Sequence, residues 1–243
     1  KIDVDSVNVR LLNYNFEYGN EYVGLYNDFF FLPQTEKTLL CILYALHLHK
    51  SFILYNNQNF FKKETLLMTS NILGRNIFFF TANSDFSLNG LNNLLYANMS
   101  NGNLVCVNNI ELMQFENLKI MVNRISEIIR LLYCKPEEGF YNDVDGEKYV
   151  INNKKFNVFL SYNLDNTSNF DMVIPYSMKN NFRCIGINEI DFKEYLKLVI
   201  SAYTVPRNDE ISKKIVFIIE TLESRTFLNK NNLKEKILPI FYN

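Results

Sequence analysis

The sequence predicts an α/β fold, with helices packed on a mostly parallel sheet, and three observations predict it. Short apolar runs alternate with helix-like stretches from Phe52 to Ile187. The runs are continuously apolar, as suits strands covered on both faces. From Phe115 to Leu132 apolar residues recur at spacings of three and four, the period of an amphipathic helix.

In chain order, Phe52-Ile-Leu-Tyr55 reads as a strand, Lys62 to Leu73 as a helix and Ile77-Phe-Phe-Phe-Thr81 as a second strand, together one βαβ unit. A helix around Ser87 to Asn98, a strand Leu104-Val-Cys-Val107 and the long amphipathic helix follow. The apolar stripe of that helix is Phe115, Leu118, Val122, Ile125, Ile129 and Leu132. Asn142 to Gly146 reads as a turn, Tyr149-Val-Ile151, Asn157-Val-Phe-Leu160 and Cys184 to Ile187 as strands. From Asp191 onward only helices are evident: Phe192 to Tyr203, Asp209 to Ser224 and Leu233 to Tyr242.

Composition narrows the class of function. Hydrophobic residues make up 48% of the 243, with no apolar run long enough to span a bilayer, which predicts a soluble, cytosolic protein. A net charge of −1 with mixed charge along the chain offers no footprint for nucleic acid or an anionic membrane. Cys41, Cys106, Cys134 and Cys184 lack the paired spacing of zinc or redox sites and are expected as reduced core residues. His47 and His49, two apart on an expected helix, point away from each other, so no metal site is expected. The 8 glycines fall well short of the roughly seventeen that average usage would give. The chain opens on Lys1, and Leu233 to Tyr242 stops inside an expected helix, so an excised piece of a longer protein is expected.

In such folds ligands bind beyond the carboxyl ends of the strands, which directs attention to the turn Tyr55-Asn-Asn-Gln-Asn-Phe-Phe-Lys-Lys-Glu-Thr65. Around it lie Phe16-Glu-Tyr-Gly-Asn-Glu-Tyr-Val-Gly24, Leu32-Pro-Gln-Thr35, Cys106-Val-Asn-Asn-Ile-Glu-Leu112, Val158-Phe-Leu-Ser-Tyr-Asn163 and Pro175-Tyr-Ser-Met-Lys-Asn-Asn-Phe-Arg183. In order and spacing these segments resemble the first AAA+ module, the hydrolytic ATP-binding motor region, of a dynein heavy chain. That family has F-E-Y-G-x-E-Y-x-G, whose seven fixed positions all match, then T-P-L-T, the P-loop G-P-A-G-T-G-K-T-E-[ST], C-F-D-E-F-N-R, V-F-I-T-M-N and P-D-N-L-K-x-L-F-R. Counting without a gap, the P-loop falls on Asn56 to Thr65, where Lys62, Glu64 and Thr65 survive. The acidic Walker B pair falls on Asn108 and Asn109, the sensor on Asn163.

The resemblance implies a P-loop NTPase-like AAA+ module with the start of a helical lid. It implies a linker-to-ring segment at residues 1–24, a large α/β subdomain at 25–205 and the start of a helical small subdomain at 206–243. Nucleotide contacts are implied at Pro33, Thr35, Asn56, Asn59, Phe61, Lys62, Lys63, Glu64, Thr65 and Arg183. ATP or ADP with Mg²⁺ is the implied cofactor. Neighbouring AAA+ modules and the linker are the implied partners, with microtubules and other dynein subunits met by other parts of such a protein, in the cytoplasm at the cytoskeleton.

The substitutions speak against hydrolysis. P-loop glycines let successive N–H groups turn toward phosphate, which takes positive φ and close backbone approach. Asn56 and Asn59 tolerate the left-handed conformation, whereas Phe60 and Phe61 bring bulk and disfavour it. Lys63 replaces the hydroxyl that would ligate Mg²⁺, adding a cation where one must bind. Asn108 lacks the carboxylate for the metal, and Asn109 is no general base, a group that supplies about 10²–10⁴-fold in rate. Lys62 reads either as a phosphate contact or as an exposed helix-start lysine. Asn163 is ambiguous in an Asn-rich chain, and Arg183 reads either as reaching a neighbouring module's nucleotide or as a packing residue. The expected function is therefore a structural ring module impaired in hydrolysis. A motor ATPase module that still binds ATP is the alternative, and a folded remnant without motor role a remoter one.

Overall fold

The computed structural model describes residues 7–11, 13–24, 31–56, 61–84, 88–134, 140–142, 148–150, 155–164, 182–188, 192–202 and 208–225. The chain opens with the antiparallel pair β1 (Asn8–Leu11) and β2 (Tyr14–Glu17), followed by α1 (Pro33–His47) and β3 (Phe52–Asn56). Then come α2 (Lys62–Leu73), β4 (Ile77–Thr81), α3 (Leu88–Asn101), β5 (Leu104–Asn108), a 3₁₀ turn (Ile110–Leu112) and α4 (Phe115–Cys134). A short antiparallel pair, β6 (Phe140–Asn142) and β7 (Lys148–Val150), precedes β8 (Asn157–Asn163), β9 (Arg183–Gly186), α5 (Phe192–Ala202) and α6 (Asn208–Arg225).

Five strands form one sheet in the order β4-β5-β8-β3-β9, every neighbouring pair parallel. Side chains alternate between its faces. Ile53, Val105, Val107, Val158 and Leu160 enter one core with Leu91 and Leu95 of α3 and Val122 and Ile125 of α4. Phe52, Leu54, Leu104, Cys106 and Phe159 enter the other with Ile42 of α1 and Leu66 of α2. Phe52 and Phe159, opposite each other in register, stack at 4.2 Å. All seven residues of β8 are buried, which is why its sequence shows no polar alternation. The first long strand, β3, lies between the fourth and fifth in chain order, so strand order reverses there. In α/β folds of this kind ligands bind beyond the strands' carboxyl ends at such a reversal.

Several expectations need correction. His49 is not helical: α1 ends at His47, and His49 takes φ 54° with its ring stacked 3.9 Å from Tyr133. Only Cys106 is a buried cysteine among those whose side chains are described; Cys41 is half-buried, and Cys184 is exposed on the edge strand β9. Phe115 opens α4 with its side chain 51% exposed, while Met121, Ile128 and Leu131 widen the buried stripe. Asn142 ends a strand rather than opening a turn, and Lys148–Val150 pairs with Phe140–Asn142 instead of joining the main sheet. Residues 143–147, Ile151 and Leu233 to Tyr242 lie outside the described residues.

The Phe16–Gly24 segment is held by the turn that ends α2. Gly74 closes that helix at φ 59° beneath the Tyr18 ring, a left-handed cap that glycine adopts without strain. The Gly19 N–H donates to the Leu73 carbonyl at 2.8 Å and the Glu21 N–H to the Gly74 carbonyl at 2.9 Å. The Glu21 carboxylate accepts the Asn76 N–H at 2.6 Å. A Cβ on Gly19 would meet the Gly74 carbonyl oxygen at 2.5 Å. Gly19→Ala is therefore expected to cost about 1–3 kcal/mol in chemical denaturation through this overpacking. An unchanged midpoint would show that the segment does not dock there.

Candidate functional site

At the carboxyl end of β3, α2 starts from a residue that sterics disfavour. Phe61 caps the helix at φ 69°, ψ −13°, so the aromatic does adopt the left-handed conformation that its side chain argues against. Packing compensates: the ring is 4% exposed and meets Tyr195 of α5 edge-on at 5.7 Å. Its carbonyl accepts the Thr65 N–H at 3.0 Å and the Thr65 hydroxyl at 2.6 Å, so that buried hydroxyl is engaged within the helix. Asn56 ends β3 in extended backbone, not in the left-handed region. Asn59 and Phe60 lie outside the described residues.

Lys62 is 3% exposed, which overturns its reading as a surface lysine. Its Nζ donates to the Tyr162 carbonyl at 2.8 Å, to Asn163 Oδ1, and to the Asn56 carbonyl at 3.5 Å. An ammonium has three N–H donors, and three protein acceptors surround this one. The register of β3 on β8 makes this possible, because Asn56 lies opposite Asn163.

The Asn163 amide faces two ways. While Oδ1 accepts a hydrogen bond from the Lys62 ammonium, Nδ2 donates to Asn109 Oδ1 at 3.0 Å and to Glu111 Oε1 at 2.8 Å. The Asn163 backbone N–H donates to Glu111 Oε2 at 3.3 Å. Glu111 comes back to β8 because Asn109 turns left-handed at φ 57°, a conformation Asn tolerates, and the 3₁₀ turn follows. Sequence reading missed Glu111. The available signal was that it is the only charged residue in Cys106–Leu112, two positions beyond the expected acidic pair.

The structure therefore gathers Asn56, Lys62, Asn109 and Asn163, and adds Glu111. Other expected residues have other neighbours. Asn108 accepts the Ala82 N–H on its carbonyl at 2.8 Å and the Cys106 thiol on its side chain at 3.2 Å. The Lys63 ammonium lies over the Phe79 ring of β4, 5.6 Å from its centre. Pro33 is exposed at the first position of α1, and the buried Thr35 hydroxyl accepts the Leu32 N–H and donates to the Leu32 carbonyl, both at 2.9 Å. Arg183 sits at the opposite end of the sheet, paired with Phe52, about 13 Å from the Asn56 level at the usual rise per residue. Its guanidinium lies over the Tyr44 ring at 4.8 Å.

Residues 18–232 match the model of a family described as the hydrolytic ATP binding site of the dynein motor region. No curated protein matches the chain. Among solved structures, a RuvB mutant from Thermotoga maritima matches with a TM-score of 0.50 at 14% identity, over 86% of this chain and 71% of that one. At that identity the likeness shows the fold, an α/β AAA-like module of parallel sheet flanked by helices.

Glu64, in the first turn of α2, is the remaining candidate. Burial raises its carboxyl above the ordinary 4.5, opposed by the N–H groups of Glu64 and Phe61 and by the Lys63 charge. Its Oε2 is buried without a hydrogen-bond partner. The folded chain thus holds this proton more tightly than the unfolded one. The associated stability is present below the ordinary carboxyl value and lost as pH rises through the folded one. Glu64→Gln is accordingly expected to gain stability on wild type as pH is raised from about 4 to 7 in urea titrations. A difference that stays flat over this range would contradict the assignment.

Proposed function

The chain belongs to the family of the hydrolytic ATP-binding site of the dynein motor region, and we propose that it serves as a structural ring module, the first of such a heavy chain, impaired in hydrolysis. The carrying observation is the state of Lys62, whose three donors already meet Asn56, Tyr162 and Asn163. A P-loop lysine acts as a point charge on phosphate. This one is committed to the strand ends.

The residues present fit Mg²⁺-nucleotide poorly. Asn108 and Asn109 are uncharged where the family holds metal and polarises water, and the Asn109 oxygen accepts from Asn163. Lys63 supplies no hydroxyl for the metal, and Phe61 fills space beside Tyr195 where the family has glycine. Neutral amides remove the base that supplies about 10²–10⁴-fold, so loss of hydrolysis follows from more than one residue.

What remains suits a framework part. The linker-to-ring segment is gripped by the α2–β4 turn, giving a docking point for an incoming linker, and the sheet needs no ligand to bury its two cores. In this reading residues 1–24 lead from linker to ring, 25–205 form the large subdomain and 206–243 begin the small one. Its direct partners are neighbouring AAA+ modules and the linker; microtubules and other dynein subunits meet other parts of the complex, at the cytoskeleton. Among the described residues no helix is long and apolar enough to cross a membrane. A second reading, a module that still binds ATP, draws on the adjacency of Lys62 and Asn163.

Isothermal titration of the folded protein with ATP and ADP, with and without Mg²⁺, separates the two. The structural reading expects no saturable heat. Saturable binding that Lys62→Ala abolishes would refute it.

A further inference from the structure

A buried ammonium needs more than neutral acceptors, because desolvation of an ion costs several kcal/mol unless opposite charge compensates it. The Asn163 amide connects Lys62 to such a charge. Its oxygen faces the ammonium, and its NH₂ faces Glu111 Oε1 at 2.8 Å. Both ends of the amide dipole are thus oriented favourably, and hydrogen bonds in such a chain strengthen one another. Glu111 is further fixed because its second oxygen accepts the Asn163 N–H at 3.3 Å. Glu111 is only partly buried, Lys62 almost wholly, so the pair neutralises the interior charge while its acid keeps contact with water.

The geometry points to Glu111 as an internal counter-anion for Lys62, relayed by the Asn163 side chain, which takes the electrostatic place of a bound phosphate and keeps phosphate out. This rests on the structural-module reading and deepens it: the phosphate end is held shut by the chain's own anion. Three segments meet in this lock, the end of β8, the start of α2 and the turn after β5. Glu111 is a positioning residue here, acting on Lys62 through Asn163.

Hydrogen exchange on the full chain, with inorganic pyrophosphate as the probe, tests it. Glu111→Gln is expected to raise exchange in the peptide covering residues 157–163 about tenfold or more, since one charge is left uncompensated. Lys62→Met should do likewise. The double variant, neutral at both ends, should exchange more slowly than the product of the two single effects predicts. Pyrophosphate should protect residues 61–73 in Glu111→Gln and leave wild type and the double variant unchanged. Glu111→Asp covers the case in which the amide variant does not fold: it should lose part of the protection while still excluding pyrophosphate. Independent single effects, or equal pyrophosphate responses in wild type and Glu111→Gln, would overturn the inference. Mg²⁺-ATP protection of wild type that disappears in Lys62→Met would instead overturn the structural-module reading beneath it.

Discussion

One constraint organises the carboxyl end of the sheet: a lysine ammonium, 3% exposed, must find its hydrogen bonds and its opposite charge inside the protein. Hydrogen bonds to a charged group contribute about 1.5–3 kcal/mol each, whereas an unpaired buried charge is far more costly. Those requirements bind the ends of β3 and β8 to the first turn of α2, since Lys62 reaches the carbonyls of Asn56 and Tyr162 across the parallel ladder. They also engage Asn163, whose NH₂ in turn holds the Asn109 side chain and Glu111.

Much of the architecture was legible because the inner strands of the parallel sheet are covered on both faces, although the edge strand β4 is not, with Phe78 exposed. Uninterrupted apolar runs marked β3, β4 and β5 closely, and α2 spans the expected Lys62–Leu73, bounded by the Phe61 cap and Gly74. The long amphipathic helix was readable from its period, although Phe115 at its first turn escapes the core. Legibility failed where tertiary packing overrode local preference. Nothing in an isolated Phe-Lys step announces that Phe61 turns left-handed, because the compensation comes from Tyr195, 134 positions later in the chain. The short β6–β7 pair carries too few residues for a period, and Cys184 is exposed because β9 is a sheet edge.

The candidate site divides in the same way. Lys62, Asn109 and Asn163 were identifiable from motif spacing, and the structure brings them together. Glu111 was hidden, because its approach to β8 depends on one left-handed Asn and a single 3₁₀ turn rather than on sequence distance. Arg183 could be placed on a strand, yet only the register shows it at the amino end beside Phe52. The two cores and the Gly19–Gly74 contact rest on apolar packing and a glycine cap, whereas Asn108, Asn109 and Lys63 each meet protein groups at the strand ends or on β4.

The most direct test of this account is a crystal structure of the chain grown at saturating Mg²⁺-ADP. The account predicts Lys62 Nζ still on the Tyr162 carbonyl and Asn163 Oδ1, Glu111 still on Asn163, and no nucleotide at the end of β3. Ordered nucleotide there, with Lys62 turned from Asn163 onto its phosphates, would contradict it.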